Sequence, residues 1–304
     1  VFRVFRCSYI AMMKKQLSIL IPTFNDDCTE LVVCLRRQAE ACKDLDFEII
    51  VADDGSTDKT VVSRHEQIGT WQHCRFVRKE ENIGRAAIRN CLAALAQYPW
   101  LLFIDADMSV VRDDFISRYV SSPPGGIRYG GYEVTGNDPA NLRNAYERAF
   151  AATHTLQRRQ EEPYRHFHTS NFMITKELMH QFPFDERFRY YGYEDDIFGK
   201  TMKENHIAIE HIDNPIGFSK FESNEDFLKK TEEGLRTLHA FSSELADCSN
   251  LITIANRLNK WRLARLVILF HHVFQRTERR NLCGSHPSLF IFKLYKLGYY
   301  LSIV

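Results

Sequence analysis

Three sets of carboxylates stand where an α/β protein would use them for chemistry. Asp105 and Asp107 follow directly on the apolar run Trp100–Ile104 (WLLFI). Two Asp at i and i+2 can point to one side of an extended strand end. Ligands of open α/β sheets bind beyond the carboxyl ends of the strands. Such a pair suits a hard divalent cation that also holds a diphosphate, since Mg²⁺ takes one or two carboxylates plus substrate phosphates. A bare D-x-D is short and common, and its weight comes from its place straight after a strand-length apolar run.

The second set, Asp53-Asp54-Gly55-Ser56-Thr57-Asp58, closes another apolar run, Phe47–Ala52. A polar turn with a helix N-cap at Ser56 or Thr57 explains part of it. A turn needs only one or two such residues, so Asp53 and Asp54 are left to bind a base N–H or a ribose hydroxyl. Pro22, Thr23, Phe24 and Asn25 end a further run, Leu17–Pro22, and could face a nucleobase. Arg85, near a helix start, could meet a phosphate or a base edge; an exposed helix arginine explains it equally well. The third set is Glu194-Asp195-Asp196, preceded by Tyr190-Tyr191-Gly192-Tyr193. Three adjacent acids are costly to bury without purpose. They also favour a helix N-terminus through its dipole, and both readings can hold together. As a general base, one of them would contribute about 10²–10⁴-fold. Tyr191 and Tyr193 could form a platform for a sugar ring.

The elements that must position these groups follow from the apolar pattern. Leu17–Pro22, Phe47–Ala52, Cys74–Arg78 and Trp100–Ile104 read as buried strands. Leu31–Cys42 and Ile88–Ala96 carry one apolar face each and read as helices. Strands alternating with helices predict a mainly parallel sheet covered on both faces, a nucleotide-binding half of Rossmann type. Further on, the pattern predicts a strand over Ile127–Val134, one long helix over Pro139–Gln160 and a short strand over Phe172–Ile174. It then predicts a helix over Glu194–Asn205, a strand over Ile207–Ile212 and only helices beyond Glu225. The expected division is an N-terminal extension outside the fold (1–13), a catalytic domain (14–224) and a helical C-terminal region (225–304).

Of the 304 residues, 44% are hydrophobic and 26% charged, as in a globular chain with a sizeable core. A net charge of +1 gives no overall field for nucleic acid. The balance is uneven: from Arg257 onward nine Lys/Arg face one acid, Glu278, among many aromatics. Residues 251–304 therefore read either as an interfacial segment for peripheral contact with anionic lipid or as a helical subdomain packed on the core. The 8 cysteines show no C-x-x-C pair or zinc-ligand spacing, which favours a reducing compartment. No uncharged run reaches the ~18–20 residues of a membrane span. The expectation is a cytoplasmic protein, with peripheral contact at the inner face of the membrane as the variant.

Taken together, LSILIPTFN, VADDGSTD, NIGRAAIRN and FIDADM, in that order, resemble the inverting family-2 glycosyltransferases over about Leu17 to Glu222. YYGYEDDIFG resembles the E-D-D block of β-1,4-galactosyltransferases and chondroitin-type polymerases, with Tyr191 where Trp is usual. The resemblance implies a GT-A fold: a mixed sheet flanked by helices, here with a C-terminal helical extension. It implies that Thr23, Phe24 and Asn25 with Asp53 or Asp54 hold a uridine, and that Arg85 lies near the base or diphosphate. Asp105 would contact ribose and metal, with Asp107 the direct ligand of Mn²⁺ or Mg²⁺. Glu194 and Asp195 would meet the acceptor, Asp195 as base, and Asn171 would line the donor-sugar pocket. A further metal ligand is often a His after the E-D block; His211 competes for this place with the position held by Phe218. The implied activity is transfer of a hexose or N-acetylhexosamine from a UDP-sugar to a glycan or lipid-linked glycan, in bacterial polysaccharide synthesis. A sugar-1-phosphate nucleotidyltransferase would need a Gly-rich basic loop where Phe24-Asn25-Asp26-Asp27 stands. A silent nucleotide-sugar-binding scaffold is the non-enzyme alternative, against which both the D-x-D and the E-D pair are intact.

Overall fold

The computed structural model describes residues 14–123 and 125–304, so the extension expected over 1–13 lies outside the described residues. The first half alternates β1 (Lys15–Thr23), α1 (Thr29–Ala41), β2 (Leu45–Asp53), α2 (Lys59–Ile68), β3 (Cys74–Arg78), α3 (Arg85–Leu95) and β4 (Trp100–Ile104). These strands run parallel in the order β3-β2-β1-β4. Helices cover both faces, so Leu17, Ile19, Leu20, Ile21, Ile49 and Ile50 are fully buried, and the runs are continuously apolar rather than alternating. The chain steps outward from β1 to β2 to β3 and then returns to the other side of β1 for β4. The switch point of the sheet is therefore the crevice at the carboxyl ends of β1 and β4. Thr23 pairs in register with Asp53, which sets the polar strand ends level.

The second half adds β5 (Met108–Ser109), α4 (Phe115–Tyr119), β6 (Ile127–Tyr129), β7 (Tyr132–Val134), α5 (Leu142–Ala151), α6 (Leu156–Glu161), β8 (Asn171–Thr175) and α7 (Lys176–Gln181). It continues with α8 (Glu194–Glu204), β9 (Ile209–His211) and β10 (Ile216–Phe218). β8 pairs antiparallel with β4 and β6, and β9 runs parallel to β6, extending the sheet to seven strands. A second sheet, β5-β10-β7, lies beside it. This mixed sheet flanked by helices is the fold expected from the motifs.

Two expectations are corrected. The strand read over Ile127–Val134 is two strands in different sheets, because Gly130-Gly131 turns the chain between them. Gly131 takes φ +84°, and a Cβ on Gly130 would lie 2.3 Å from Asn214 O. The long helix read over Pro139–Gln160 breaks after Ala151. The His154 ring folds back on Phe150, with centroids 3.5 Å apart, and Thr155 caps the next helix by accepting from Arg158 N–H.

Four helices complete the chain: α9 (Asn224–Ala240), α10 (Asn250–Lys260), α11 (Ala264–Leu282) and α12 (Leu289–Ile303). Their apolar faces meet each other and the sheet domain. Phe188 packs with Leu235, Leu238, Ile252 and Tyr300, and Leu142 of α5 packs with Phe227, Leu282, Phe292 and Tyr295. α11 and α12 approach so closely that a Cβ on Gly298 would lie 2.6 Å from His271 Cβ.

Candidate active site

A cavity of about 930 Å³ opens at the sheet's switch point, a size suited to a ligand of nucleotide class. Its first wall is the row of strand ends. Pro22, Thr23 and Phe24 line it after β1, and Phe24 is 43% exposed there. Asp54 lines it after β2, and its two oxygens accept the N–H groups of Ile83 (2.8 Å) and Gly84 (3.0 Å). The carboxylate thus stitches β2 to the start of α3. The stitch needs glycine: a Cβ on Gly84, at φ +94°, would lie 2.6 Å from Arg189 O. Burial raises the Asp54 carboxyl above its ordinary value.

Asp105 and Asp107 enter the cavity after β4. Arg89 Nη2 donates to Asp105 Oδ1 at 2.7 Å, and burial, then the charge of Asp105, push Asp107 up to about 6. Among the described residues no group of three or more His, Cys, Asp or Glu side chains is placed to hold a metal ion. Two carboxylates at the phosphate end of a nucleotide cleft nevertheless fit Mg²⁺ or Mn²⁺, which take their other ligands from phosphate and water.

The far end of the cavity is formed by the first turn of α8. Gly192 (φ +94°) and Tyr193 (φ +70°) turn the chain sharply before it. Asp195 Oδ2 lies 3.0 Å from His168 Nδ1. Burial would raise the Asp195 carboxyl, but the hydrogen bond and charge of His168 overcome it and hold it below the ordinary range. In turn, Asp195 holds His168 raised against the opposing effect of burial. Asp196 is pushed up to about 8 by burial and by Asp195. Glu194 is only 2% exposed and ion-paired, with Arg85 Nη1 at 3.1 Å and Arg89 Nη1 at 3.3 Å.

The opposite wall is cationic. The Arg85 guanidinium lies 4.7 Å from the Tyr191 ring centroid, and Lys230 of α9 lies 5.0 Å from the same ring. Arg143 of α5 bonds Glu222 at 2.6 Å and stacks on Phe218 at 4.6 Å. Lys296 of α12 sits 4.7 Å from both Tyr146 and Phe292, and burial, then Lys293, lower it to about 8. Arg89, Arg143 and His168 each keep a buried ring or guanidine nitrogen without a protein partner.

Most of the residues singled out in the sequence meet here: Pro22, Thr23, Phe24, Asp54, Arg85, Asp105, Asp107, Tyr191, Tyr193, Glu194 and Asp195 all line the cavity. Four are corrected. Asn25 turns away, its Oδ1 accepting the N–H groups of Thr57 and Asp58. Asp53 is fully buried below the cavity, with Oδ1 on Ser56 N–H at 2.6 Å. Asn171 is also fully buried, and its amide joins Gly130, Gly131 and Asn214. His211 lies away from the cavity: its Nε2 meets Pro163 O at 2.8 Å and its Nδ1 meets Arg159. Burial lowers it to about 4. The competing position, Phe218, does approach Asp107 through the pairing of β10 with β5, but it brings a phenyl ring. Missed in the sequence were Arg143, Lys230 and Lys296, single cations on helices with nothing local to distinguish them. Arg89 was findable: it stands one helical turn from Arg85 on the same face.

Comparison with known proteins agrees with this fold. Residues 18–182 match Glycosyl transferase family 2. The chondroitin synthase of Pasteurella multocida (strain Pm70) is 28% identical over 251 residues, which cover 66% of this chain and 24% of that protein. The chain thus spans about a quarter of that relative's length. Among solved structures, the mannosyltransferase PcManGT from Pyrobaculum calidifontis, in complex with GDP-Man and Mn²⁺, aligns with a TM-score of 0.56 at 12% identity, covering 99% of this chain and 93% of that one. S. aureus TarS 1-349 in complex with UDP-GlcNAc aligns with a TM-score of 0.50 at 16% identity, covering 94% and 89%. With the family matched over more than half of its residues and the same fold in solved members, this chain belongs to glycosyl transferase family 2, a family of glycosyltransferase enzymes.

Proposed function

We propose that the chain transfers a hexose or N-acetylhexosamine from a UDP-sugar to a hydroxyl of a glycan acceptor, with inversion and with a divalent metal, in bacterial polysaccharide synthesis. The observation that carries this reading is that Asp107 and Asp195, from a strand end and a helix start far apart in sequence, open onto one cavity walled by Arg85, Arg143 and Lys230. That combination offers a place for a diphosphate and a base for an acceptor.

In this mechanism Phe24, Thr23 and Asp54 hold the nucleoside end. Asp195, kept ionised by His168, takes the proton of the acceptor hydroxyl. The hydroxyl oxygen bonds to the anomeric carbon as the bond to the diphosphate oxygen breaks, and attack from the opposite face inverts that carbon. The departing UDP carries the negative charge, which Arg85, Arg143 and Lys230 stabilise as preorganised cations. A metal held by Asp105 and Asp107 would add neutralisation of the same charge. The Arg85–Glu194–Arg89 cluster ties α3 to α8 and so keeps the nucleotide end and the base in fixed relation.

The test is thermal stability with UDP, GDP, CDP or ADP, each with Mn²⁺ and with EDTA, since a ligand of the native state raises Tm by mass action. Stabilisation by UDP that EDTA removes is expected and leads to a UDP-sugar screen against glycan acceptors. A response to GDP alone would replace the donor class, and no response to any nucleotide would overturn the reading.

A further inference from the structure

Helix α11 presents an apolar face that the fold leaves uncovered. Of the fourteen large hydrophobic side chains exposed among the described residues, nine fall between Ile254 and Phe290. Leu266 (64% exposed), Leu269 (61%), Phe270 and Val273 (65%) recur at i, i+3, i+4 and i+7 and so share one side of the helix. The opposite side is the one the fold uses: Ala264, His271, Glu278 and Leu282 are buried against the neighbouring helices. Trp261, 65% exposed, precedes the helix, and Phe274 extends the stripe.

Within residues 257–304 the exposed charged side chains have one sign. Arg257, Lys260, Arg262, Arg265, Arg276 and Arg280 are exposed beside it. The single acid between Arg257 and the last residue, Glu278, is turned inward, where its Oε2 lies 2.8 Å from His271 Nδ1. No described helix is long and apolar enough to cross a membrane. An exposed apolar stripe bordered by arginines and an aromatic is the pattern of a helix lying in the plane of an interface.

We propose that α11 docks this chain on an anionic lipid surface, with Leu266, Leu269, Phe270 and Val273 in the acyl boundary and Arg262, Arg265 and Arg276 at the headgroups. Charge distinguishes this occupant from a second copy of the chain. A two-fold interface sets the same patch against itself, which here would bring arginines together with no exposed carboxylate side chain of residues 257–304 to pair them. Lipid phosphates supply the missing charge. The docking does not depend on the transfer reading, but it bears on it. α12 packs on the inner face of α11 and sends Phe292 and Lys296 into the cavity wall. One helix, roughly 10 Å across, then separates cavity wall from bilayer, which suits an acceptor carried on lipid.

The experiment is flotation of the full chain with vesicles of phosphatidylcholine alone and of phosphatidylcholine with phosphatidylglycerol, alongside its sedimentation behaviour in buffer. The wild-type chain is expected to float with the anionic vesicles and to release at high salt. R265E/R276E should weaken this partitioning by about thirtyfold or more, from the ~1 kcal/mol each basic residue gains near such a surface. L266E/L269E/V273E should abolish it. Both variants alter only exposed groups, so an unchanged Tm shows that the fold is kept. Failure of the wild-type chain to float, or flotation of the leucine variant equal to wild type, overturns the proposal. So does a wild-type dimer in buffer that the leucine variant converts to monomer without any vesicle binding. Nucleotide binding is read separately by Tm, so loss of the transferase reading would leave this result interpretable.

Discussion

The wall of the cleft formed by residues 22–107 hangs its polar groups from the ends of adjacent parallel strands, whereas the opposite wall draws its cations from helices between Arg143 and Lys296. On the first wall the groups beside β1 and β2 are held by backbone N–H donors of neighbouring strand ends and loops. Asp54 is held by two backbone N–H groups, and Asp53 and Asn25 brace the same turn. On the second wall the charges are held by residues distant in sequence: Glu194 by Arg85, Arg143 by Glu222, His168 by Asp195. A group held between neighbouring strand ends is preorganised once the parallel strands pair. A group held across the fold is preorganised only when the helices dock, so chemistry placed there is coupled to tertiary packing. The expected division of labour is binding on the first wall and turnover on the second.

The largest effect that would test this division is at Asp195. Asp195→Asn should lower the transfer rate by about 10²–10⁴-fold while the UDP-induced rise in Tm is kept. Loss of both would place Asp195 in the packing rather than the chemistry. Next is the cross-fold tie: Glu194→Gln leaves Arg89, almost fully buried, with Asp105 alone of its two carboxylates. Denaturant unfolding should show a loss of about 3–5 kcal/mol, against a smaller loss for Thr23→Ala on the first wall. His211→Ala should cost about 1–3 kcal/mol through unpaired buried groups, with the Mn²⁺ titration of activity unchanged. A shifted metal midpoint would return His211 to the site.

The last test is a dependence on pH. In the unfolded chain Asp196 loses its proton near the ordinary 3.8, and in the fold near 8. Between those values the native state binds a proton that the unfolded state lacks, so stability falls as pH rises across that window. Asp196→Asn should flatten this part of the Tm–pH curve. An unchanged curve would mean that Asp196 is not held protonated beside Asp195.

The same contrast explains how far the sequence could be read. Four apolar runs, each ending in polar residues, specified β1 to β4 and the sheet edge where Thr23, Asp54, Asp105 and Asp107 meet, because parallel strands bury both faces and leave only their ends polar. Where structure depended on a local exception, the reading failed. Gly130-Gly131 divided a strand, and a stacked His154 broke a helix. His211 followed the E-D block in the order the resemblance led one to expect, yet β9 carries it behind the cleft to Pro163.

By itself, then, the sequence determined the nucleotide half, the carboxylates of the cleft and the basic, aromatic character of residues 251–304. Only the tertiary structure decided that Arg143, Lys230 and Lys296 join those carboxylates, that Glu194 is committed to Arg85 and Arg89, and that α11 turns its acid inward and its leucines out. Strand ends are set by short-range pattern, whereas a helix face takes its meaning from what packs against it.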